Sequence, residues 1–174
     1  MGVRNDLFNM AKASSGFLRT NRFRVQIIAP PAMQTSFDRL NLTAYKFSIP
    51  GYTFEKFDRS NGGEVVHSFA NSLQTSDINI GFYVGQDKEE YTIFSQWREA
   101  VADFESNRLG YKDDYATQIY ADMLRSNTDE TSLMEIELID AWPSTVGDVD
   151  ISFEDENQIA KLEVAFSIRN FNIT

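Results

Sequence analysis

The residues that could perform chemistry are few in this chain. Its 174 residues include no cysteine and one histidine, so disulfides, thiolate metal sites, cysteine nucleophiles and paired-histidine metal sites are all excluded. The histidine, His67, lies in the strand-like run Val65–Phe69 without any signal of an acidic partner, which indicates a hydrogen-bonded sheet histidine. Gly-x-Ser-x-Gly, Walker and Rossmann glycine motifs are also absent. The sequence therefore predicts a protein that is not an enzyme.

One acidic cluster near the C-terminus has the composition of a calcium site but not its spacing. An EF-hand loop needs glycine at its sixth position and glutamate at its twelfth, and neither is present here. We interpret the cluster as a solvated acidic strand end, and we expect no metal and no cofactor. Its members are Asp148, Asp150, Glu154, Asp155 and Glu156.

The overall charge limits the partners of the chain. Sixteen Lys and Arg against 26 Asp and Glu give a net charge of −10, which argues against a surface that grips nucleic acid, although DNA could still slide past it. Arg19, Arg22 and Arg24 form a small basic spot that we expect to meet a carboxylate on another protein. No apolar run approaches the roughly 18 residues of a membrane span, and the first twenty residues carry charges where a secretory signal would be apolar. We expect a soluble chain without membrane contact, made in the cytoplasm.

Most of the chain follows the period-two alternation of half-buried strands. The alternating runs begin at Asn21 and recur over 44–49, 52–57, 64–70, 77–84, 118–125, 132–142, 149–153 and 160–168. Residues 88–106 instead place apolar side chains at steps of three and four, which predicts one amphipathic helix. Its packing face, buried against the sheets or a neighbouring subunit, would consist of Tyr91, Phe94, Trp97, Val101 and Phe104. We expect most aromatic side chains to occupy such core-facing positions.

These elements predict a mainly β protein, an antiparallel β-sandwich or barrel with a single helix. Residues 1–20 are polar and small and are interpreted as an N-terminal arm, and residues 21–174 as a single β-sandwich domain. A polar tip, Asp58, Arg59, Ser60, Asn61, Gly62 and Gly63, separates two strand-like runs, and Asn-Gly-Gly supplies the positive φ that a hairpin loop requires.

The closing third of the chain carries a motif. Trp142-Pro143-Ser144-Thr145-Val146-Gly147 is followed by Asn157-Gln158-Ile159 and by Leu162-Glu163-Val164. This arrangement resembles the closing segment of the tail tube proteins of contractile-tailed phages, which reads Trp-Pro-x-x-Val-Gly, an acidic stretch, Asn-x-Ile and an apolar-x-Val strand. The order of elements over residues 20–174 is also similar. Leu162 stands where an aromatic is common in the family, and the arm is longer than usual.

The resemblance implies a structural virion protein whose subunits form homohexameric rings. The rings would stack into the inner tube of a contractile tail, with sheath, baseplate and tail terminator proteins as partners. DNA would pass through an acidic lumen without specific binding, because a lumen lined by carboxylates repels phosphate. The long arm leaves open a baseplate tube initiator, and a tube of type VI secretion or another contractile injection system is a further alternative. A small-ligand-binding β-sandwich is the alternative from another class.

Two assembly hypotheses follow from the pattern of strands. Runs 44–49 and 159–169 are candidates for open sheet edges, through which rings could form by sheet continuation. The hairpin tip at 58–63 contains no apolar residue and cannot belong to the subunit's own core, so we expect it to contact the neighbouring ring.

Overall fold

The computed structural model describes residues 21–60, 66–103, 105, 108–125, 131–149 and 159–174. The strands in these ranges are β1 Phe23–Ile27, β2 Ala44–Phe47, β3 Tyr52–Ser60, β4 Val66–Thr75, β5 Ile78–Tyr83, β6 Ala102–Asp103, β7 Arg108–Leu109, β8 Thr117–Leu124, β9 Ser132–Val146, β10 Lys161–Ser167 and β11 Asn170–Ile173. The helices are α1 Asp38–Thr43, α2 Glu89–Val101 and α3 Lys112–Tyr115. The N-terminal arm, Phe104 and most of the acidic cluster lie outside the described residues.

One antiparallel sheet forms the body of the molecule. Its strands follow the order β1-β8-β9-β10-β5-β2, and β11 also pairs with β9. The long strand β9 joins the two halves, because residues 136–139 pair with β11 while residues 142–146 pair with β10. The predicted class, mainly antiparallel β, is confirmed.

A single hydrophobic cluster joins the two halves of the sheet to the long helix. Ile119 of β8 and Leu138 of β9 belong to the same buried cluster as Phe82 of β5 and Phe166 of β10. Trp97 of α2 lies in this cluster as well, with its ring centroid 5.8 Å from that of Phe166. The helix therefore packs on the inner face of the sheet.

The buried face of α2 is rotated relative to the expected one. Phe94 and Trp97 are buried, and Val101 is partly buried against the core. Tyr91 is 54% exposed, so it does not pack against the sheets of its own subunit, and its burial against a neighbouring subunit stays a prediction. The buried positions Glu90, Ile93, Phe94 and Trp97 are spaced by three and four residues, which places Tyr91 about 100° away from their stripe.

Several sequence expectations need correction. The expected single helix is accompanied by α1 and α3, which span six and four residues and are too short to produce a helical periodicity. The run 159–169 is not an open edge, because β10 has β5 on one side and β9 on the other. The run 44–49 does contain an edge strand, since β2 pairs only with β5 among the described strands. No helix in the described ranges combines the length and hydrophobicity needed to cross a bilayer.

Candidate functional site

The hairpin formed by β3 and β4 is exposed over most of its described length. Every described side chain from Tyr52 to Arg59 and from Ser68 to Gln74 is exposed, on both faces of the two-stranded sheet. A two-stranded hairpin is marginally stable by itself in water. The hairpin therefore has the properties of an element that is completed by another surface.

Apolar cross-strand pairs lie on both faces of this hairpin. Phe57 is directly opposite Phe69, and Phe54 is directly opposite Leu73. Side chains alternate along β3, so Phe57 and Phe54 point to opposite faces. Each of these four side chains is more than half exposed. The expectation that most aromatics face the core fails along this hairpin, because alternation reveals the face of a strand but not what covers it.

Polar side chains stiffen the hairpin between these pairs. Ser72 Oγ donates to Glu55 Oε2 at 2.8 Å, and Gln74 Nε2 donates to the other oxygen of the same carboxylate. Nearer the tip, Ser68 Oγ donates to Asp58 Oδ1 at 2.5 Å. At the base, the Tyr52 ring stacks on Phe171 of β11 with centroids 4.4 Å apart. This stacking contact anchors the base of the hairpin to the body of the subunit.

The tip itself is described in part. Asp58 and Arg59 are exposed, and Ser60 is the last residue of β3. Asn61, Gly62 and Gly63 lie outside the described residues, so the proposed contact of the tip with another ring stays a prediction. The sequence indicated a polar tip but did not indicate that the strands behind it present exposed phenylalanines.

The closing motif organises the pairing of β9 with β10. Pro143 lies opposite Phe166 and Val146 opposite Val164, and a register shift between Ala165 and Phe166 leaves Ser144 as the extra residue. A proline is tolerated at such a bulge because it cannot donate a ladder hydrogen bond. Ser144 Oγ donates to Asp77 Oδ2 at 2.7 Å, which ties the bulge to the start of β5.

Gly147 closes the motif because no side chain fits at its position. Its N–H donates to Glu163 O at 2.8 Å, and a Cβ at this residue would lie 2.6 Å from that same carbonyl oxygen. A real Cβ does not approach a backbone oxygen this closely, so only glycine permits the contact. The motif residue Asn157 lies outside the described residues, and Ile159 is 62% exposed.

Trp142 connects the motif to the long helix. Its ring meets Tyr115 of α3 edge-on, with centroids 5.8 Å apart. The backbone oxygen of Tyr115 accepts a hydrogen bond from Trp97 Nε1 at 2.8 Å. The described motif residues therefore act in packing and strand pairing rather than in chemistry.

A buried carboxylate fixes the N-terminal end of α2. The fully buried Glu90 accepts hydrogen bonds from Gly85 N at 3.0 Å and from Arg39 Nε at 2.8 Å. Burial by itself raises the pKa of Glu90, but the hydrogen bonds from Gly85 and Arg39 outweigh it and hold the pKa below its ordinary value. Arg39 also binds Asp87 and Glu89, so it clamps α1 to α2.

Charged side chains also line the outer face of the sheet. Lys46 Nζ of the edge strand β2 lies 2.7 Å from Glu163 Oε1 of β10, and this hydrogen bond lowers the pKa of the Glu163 carboxyl. On the other half of the sheet, Arg24 Nη2 lies 2.7 Å from Asp122 Oδ2. Arg24 therefore pairs with a carboxylate of its own chain, Asp122, and not with one on another protein as the sequence led us to expect. Arg19 lies outside the described residues, and Arg22 donates to the carbonyl oxygen of Arg125.

No grouping of three or more metal-ligating side chains occurs within the described part of the chain. Of the acidic cluster near the C-terminus, only Asp148 is described, and it is exposed. His67 belongs to β4, where its backbone is opposite Arg59.

Comparison with solved structures identifies proteins of the same fold. A chain in the cryo-EM structure of the PVC sheath–tube complex, an extracellular contractile injection system in its extended state, superposes with a TM-score of 0.65 at 13% identity, covering 96% of both chains. A chain of the anti-feeding prophage baseplate gives 0.65 at 14% identity, covering 90% of this chain and 94% of that one. A chain of the anti-feeding prophage tube-terminating cap gives 0.62 at 14% identity, covering 91% of both chains.

Sequence comparison adds the family. No curated protein matches this sequence significantly. The family model described as phage tail tube protein matches residues 18–174, which is almost the whole chain and includes the closing motif. The antiparallel fold is consistent with this match. So is the hairpin, which the described part of its own chain leaves uncovered. The chain belongs to the phage tail tube protein family, and it is a structural tube protein rather than an enzyme.

Proposed function

We propose that this protein polymerises as stacked homohexameric rings into the inner tube of a contractile tail. The observation that carries the proposal is the β3–β4 hairpin, whose described side chains are exposed on both faces although they include Phe54, Phe57, Phe69 and Leu73. Ordering each backbone residue of such an element opposes folding by about 1–2 kcal/mol. Burial against neighbouring subunits would supply the stabilisation that the isolated chain lacks.

The edge strand β2 gives a route to ring closure. One side of β2 pairs with β5, and the other side has no strand among the described residues. An unpaired edge is a template for another strand, and closing a ring removes it. We infer that residues 44–49 pair with the neighbouring subunit of the same ring, with residues 21–174 acting as one domain and residues 1–20 as an arm.

The charge of the chain suits a channel through which DNA passes. Six copies at −10 each would carry −60. An acidic lumen repels phosphate, so DNA would leave during ejection without being held.

The partners that we propose for the tube are of the kinds found in the particles whose chains share this fold. Similar chains occur in a sheath–tube complex, a baseplate and a tube-terminating cap. We propose a sheath protein around the tube, baseplate proteins at one end and a terminator at the other, with assembly in the cytoplasm of the host bacterium. A baseplate tube initiator and a tube of another contractile injection system are the alternatives within this class. The ligand-binding alternative would require aromatics clustered on one face, whereas those of the hairpin occupy both.

Shortening the hairpin tests the proposal. Replacing residues 59–62 with a two-residue Asn-Gly turn keeps hairpin chemistry and reduces the reach of the tip. Electron microscopy should show single rings or short stacks of this variant where the parent forms long tubes. Tubes of normal length and abundance would assign stacking to the N-terminal arm or to the 126–131 loop.

A further inference from the structure

A shallow apolar groove lies between the end of β5 and the start of α2. We call it the β5–α2 groove. Its volume is about 570 Å³. The polar residues Gln86 and Lys88 line it together with Val84, Gly85, Tyr91, Val149, Ile159 and Ala160. Tyr91 and Ile159 are both more than half exposed, so the subunit's own core does not account for either side chain. Both side chains therefore expose apolar surface that the described core of the subunit does not bury.

The groove and the hairpin lie at opposite ends of the same strand. The chain enters β5 at Ile78 from the hairpin and leaves it at Tyr83 toward the groove. At the groove end, Val84 N donates to Ala160 O at 3.0 Å, just before β10 begins. At the hairpin end, Asp77 is bonded to the Ser144 bulge and Tyr52 stacks on Phe171. The six residues of β5 separate the two features by about 20 Å.

We propose that the Phe57–Phe69 face of one subunit's hairpin docks into the β5–α2 groove of a second copy in the adjacent ring. This inference rests on the proposed stacking and names the surface that receives the hairpin. Each subunit carries one projecting apolar element and one apolar groove, at opposite ends. Such a contact is heterologous, and repeating it adds copies in one direction without closing, as a stacked tube requires.

The two apolar pairs of the hairpin differ in their distance from the tip, and this distance favours the Phe57–Phe69 face for docking. Phe57 and Phe69 form the apolar pair nearer the tip, whereas Phe54 and Leu73 lie nearer the base, beside the body of their own subunit. The groove volume lies within the 300–1,000 Å³ of pockets that hold drug-sized molecules, so it has room for two aromatic rings.

The charges at the two surfaces limit the orientation of docking, because Lys88 lines the groove whereas Asp148 and Arg98 lie beside it. Arg59 follows Phe57 by two positions in β3 and therefore shares its face. Asp148 is exposed next to Val149, at the side of the groove where Tyr91 also contributes. When the two phenylalanine side chains dock, an orientation that brings the guanidinium of Arg59 toward the carboxylate of Asp148 is therefore favoured over one that brings it toward Lys88.

A single hairpin contact is small compared with a stable interface. Specific complexes bury about 1,200–2,000 Å² in total, more than two phenylalanines and an apolar groove provide. The contact would become effective when several subunits of one ring engage the next ring together, since linked contacts raise the effective concentration of each. Separate subunits should therefore associate weakly through this surface, and rings should stack strongly.

The absence of native cysteine makes the contact directly measurable. Two single-cysteine variants, Phe69→Cys and Tyr91→Cys, are mixed under assembly conditions and oxidised, with one carrying an affinity tag so that the mixed dimer has its own mass. We expect a disulfide-linked mixed dimer, because the two positions come within bonding distance only between copies. Leu73→Cys mixed with Tyr91→Cys is the matched control, since Leu73 lies on the opposite hairpin face, and it should give no such dimer.

A second variant measures the energetic contribution. Phe57→Ala with Phe69→Ala removes exposed side chains, so the subunit should keep its melting temperature while the concentration needed for stacking rises roughly tenfold. An unchanged stacking concentration would overturn the inference.

The remaining outcomes separate the inference from the proposed function. Normal tubes without the 69–91 link would overturn the groove contact and leave the tube proposal standing. A wild-type chain that forms neither rings nor tubes would overturn both. If the thiol introduced by Tyr91→Cys is already protected from a thiol reagent in the unassembled subunit, a segment of its own chain fills the groove, and the inference is wrong.

Discussion

At Glu90 a fully buried carboxylate is stabilised by hydrogen bonds from Gly85 and Arg39. Its pKa in the folded protein lies below the ordinary value of 4.5. A carboxyl group with a lowered folded pKa contributes stability that is complete above its unfolded pKa and is lost as pH falls through the folded one. Glu90 therefore links the stability of this protein to acid.

We expect Glu90→Gln to reduce the free energy of unfolding by about 1–3 kcal/mol at pH 7, because the amide leaves charged and buried donors poorly paired. The difference between the two proteins should begin to shrink as pH falls below about 4.5, where the carboxyl of the unfolded chain takes up a proton, and it should be lost once the folded carboxyl is protonated as well. Urea unfolding at a series of pH values measures both. A difference that stays constant down to the acid end would show that the charge of Glu90 contributes nothing.

Gly147 provides a steric prediction at the same scale. Gly147→Ala would place a Cβ 2.6 Å from the carbonyl oxygen of Glu163, so β9 and β10 must separate, and we expect a loss of about 1–3 kcal/mol. Gly51→Ala is the matched control, because its Cβ would meet no atom within 4 Å. Thermal unfolding of both variants decides the point, and equal melting temperatures would contradict the packing described for the motif.

At the scale of elements, α2 is held by one face. Trp97 is fully buried and donates to the Tyr115 carbonyl, so Trp97→Ala should lower the free energy of unfolding by about 3–5 kcal/mol. Tyr91→Ala on the same helix should change it by less than about 0.5 kcal/mol, since that side chain is more than half exposed. Chemical denaturation compares the two, and similar losses would mean that the helix packs on a different face.

The sequence was informative where the pattern is local. The helix near residues 89–101, the hairpin around residue 60 and the alternation of β8 and β10 all follow from side-chain period and turn chemistry. The length of β9 was not predictable, because Pro143 ordinarily ends a strand and here sits at a bulge. The interior position of β10 was also hidden, since strand order depends on distant pairings that no local pattern records.

At the scale of the whole molecule, the alternation of apolar and polar residues could not distinguish core residues from residues of an interface. Phe57 and Phe69 have the same pattern as core residues such as Ile80 and Phe82, yet they are exposed. The difference is the second layer, which covers β5 within the subunit and which no described residue supplies over the hairpin. The pattern assigned the polar tip to assembly but gave no sign that the strands behind it carry apolar pairs.

The acidity of the chain and its exposed apolar hairpin act in opposite directions on assembly. A net charge of −10 per subunit opposes close packing of copies, whereas burial of phenylalanines favours it. An assembly of this kind is stable when the apolar and edge-strand contacts outweigh the repulsion. That balance is a property of the oligomer and cannot be read from one subunit.

Negative-stain electron microscopy of the purified protein, combined with light scattering at high concentration and moderate salt, tests directly whether this chain assembles into a tube. We expect six-fold rings with an open centre that stack into tubes of uniform diameter, and a scattering mass that grows with concentration. A strictly monomeric species under the same conditions, with no rings in any field, would contradict it.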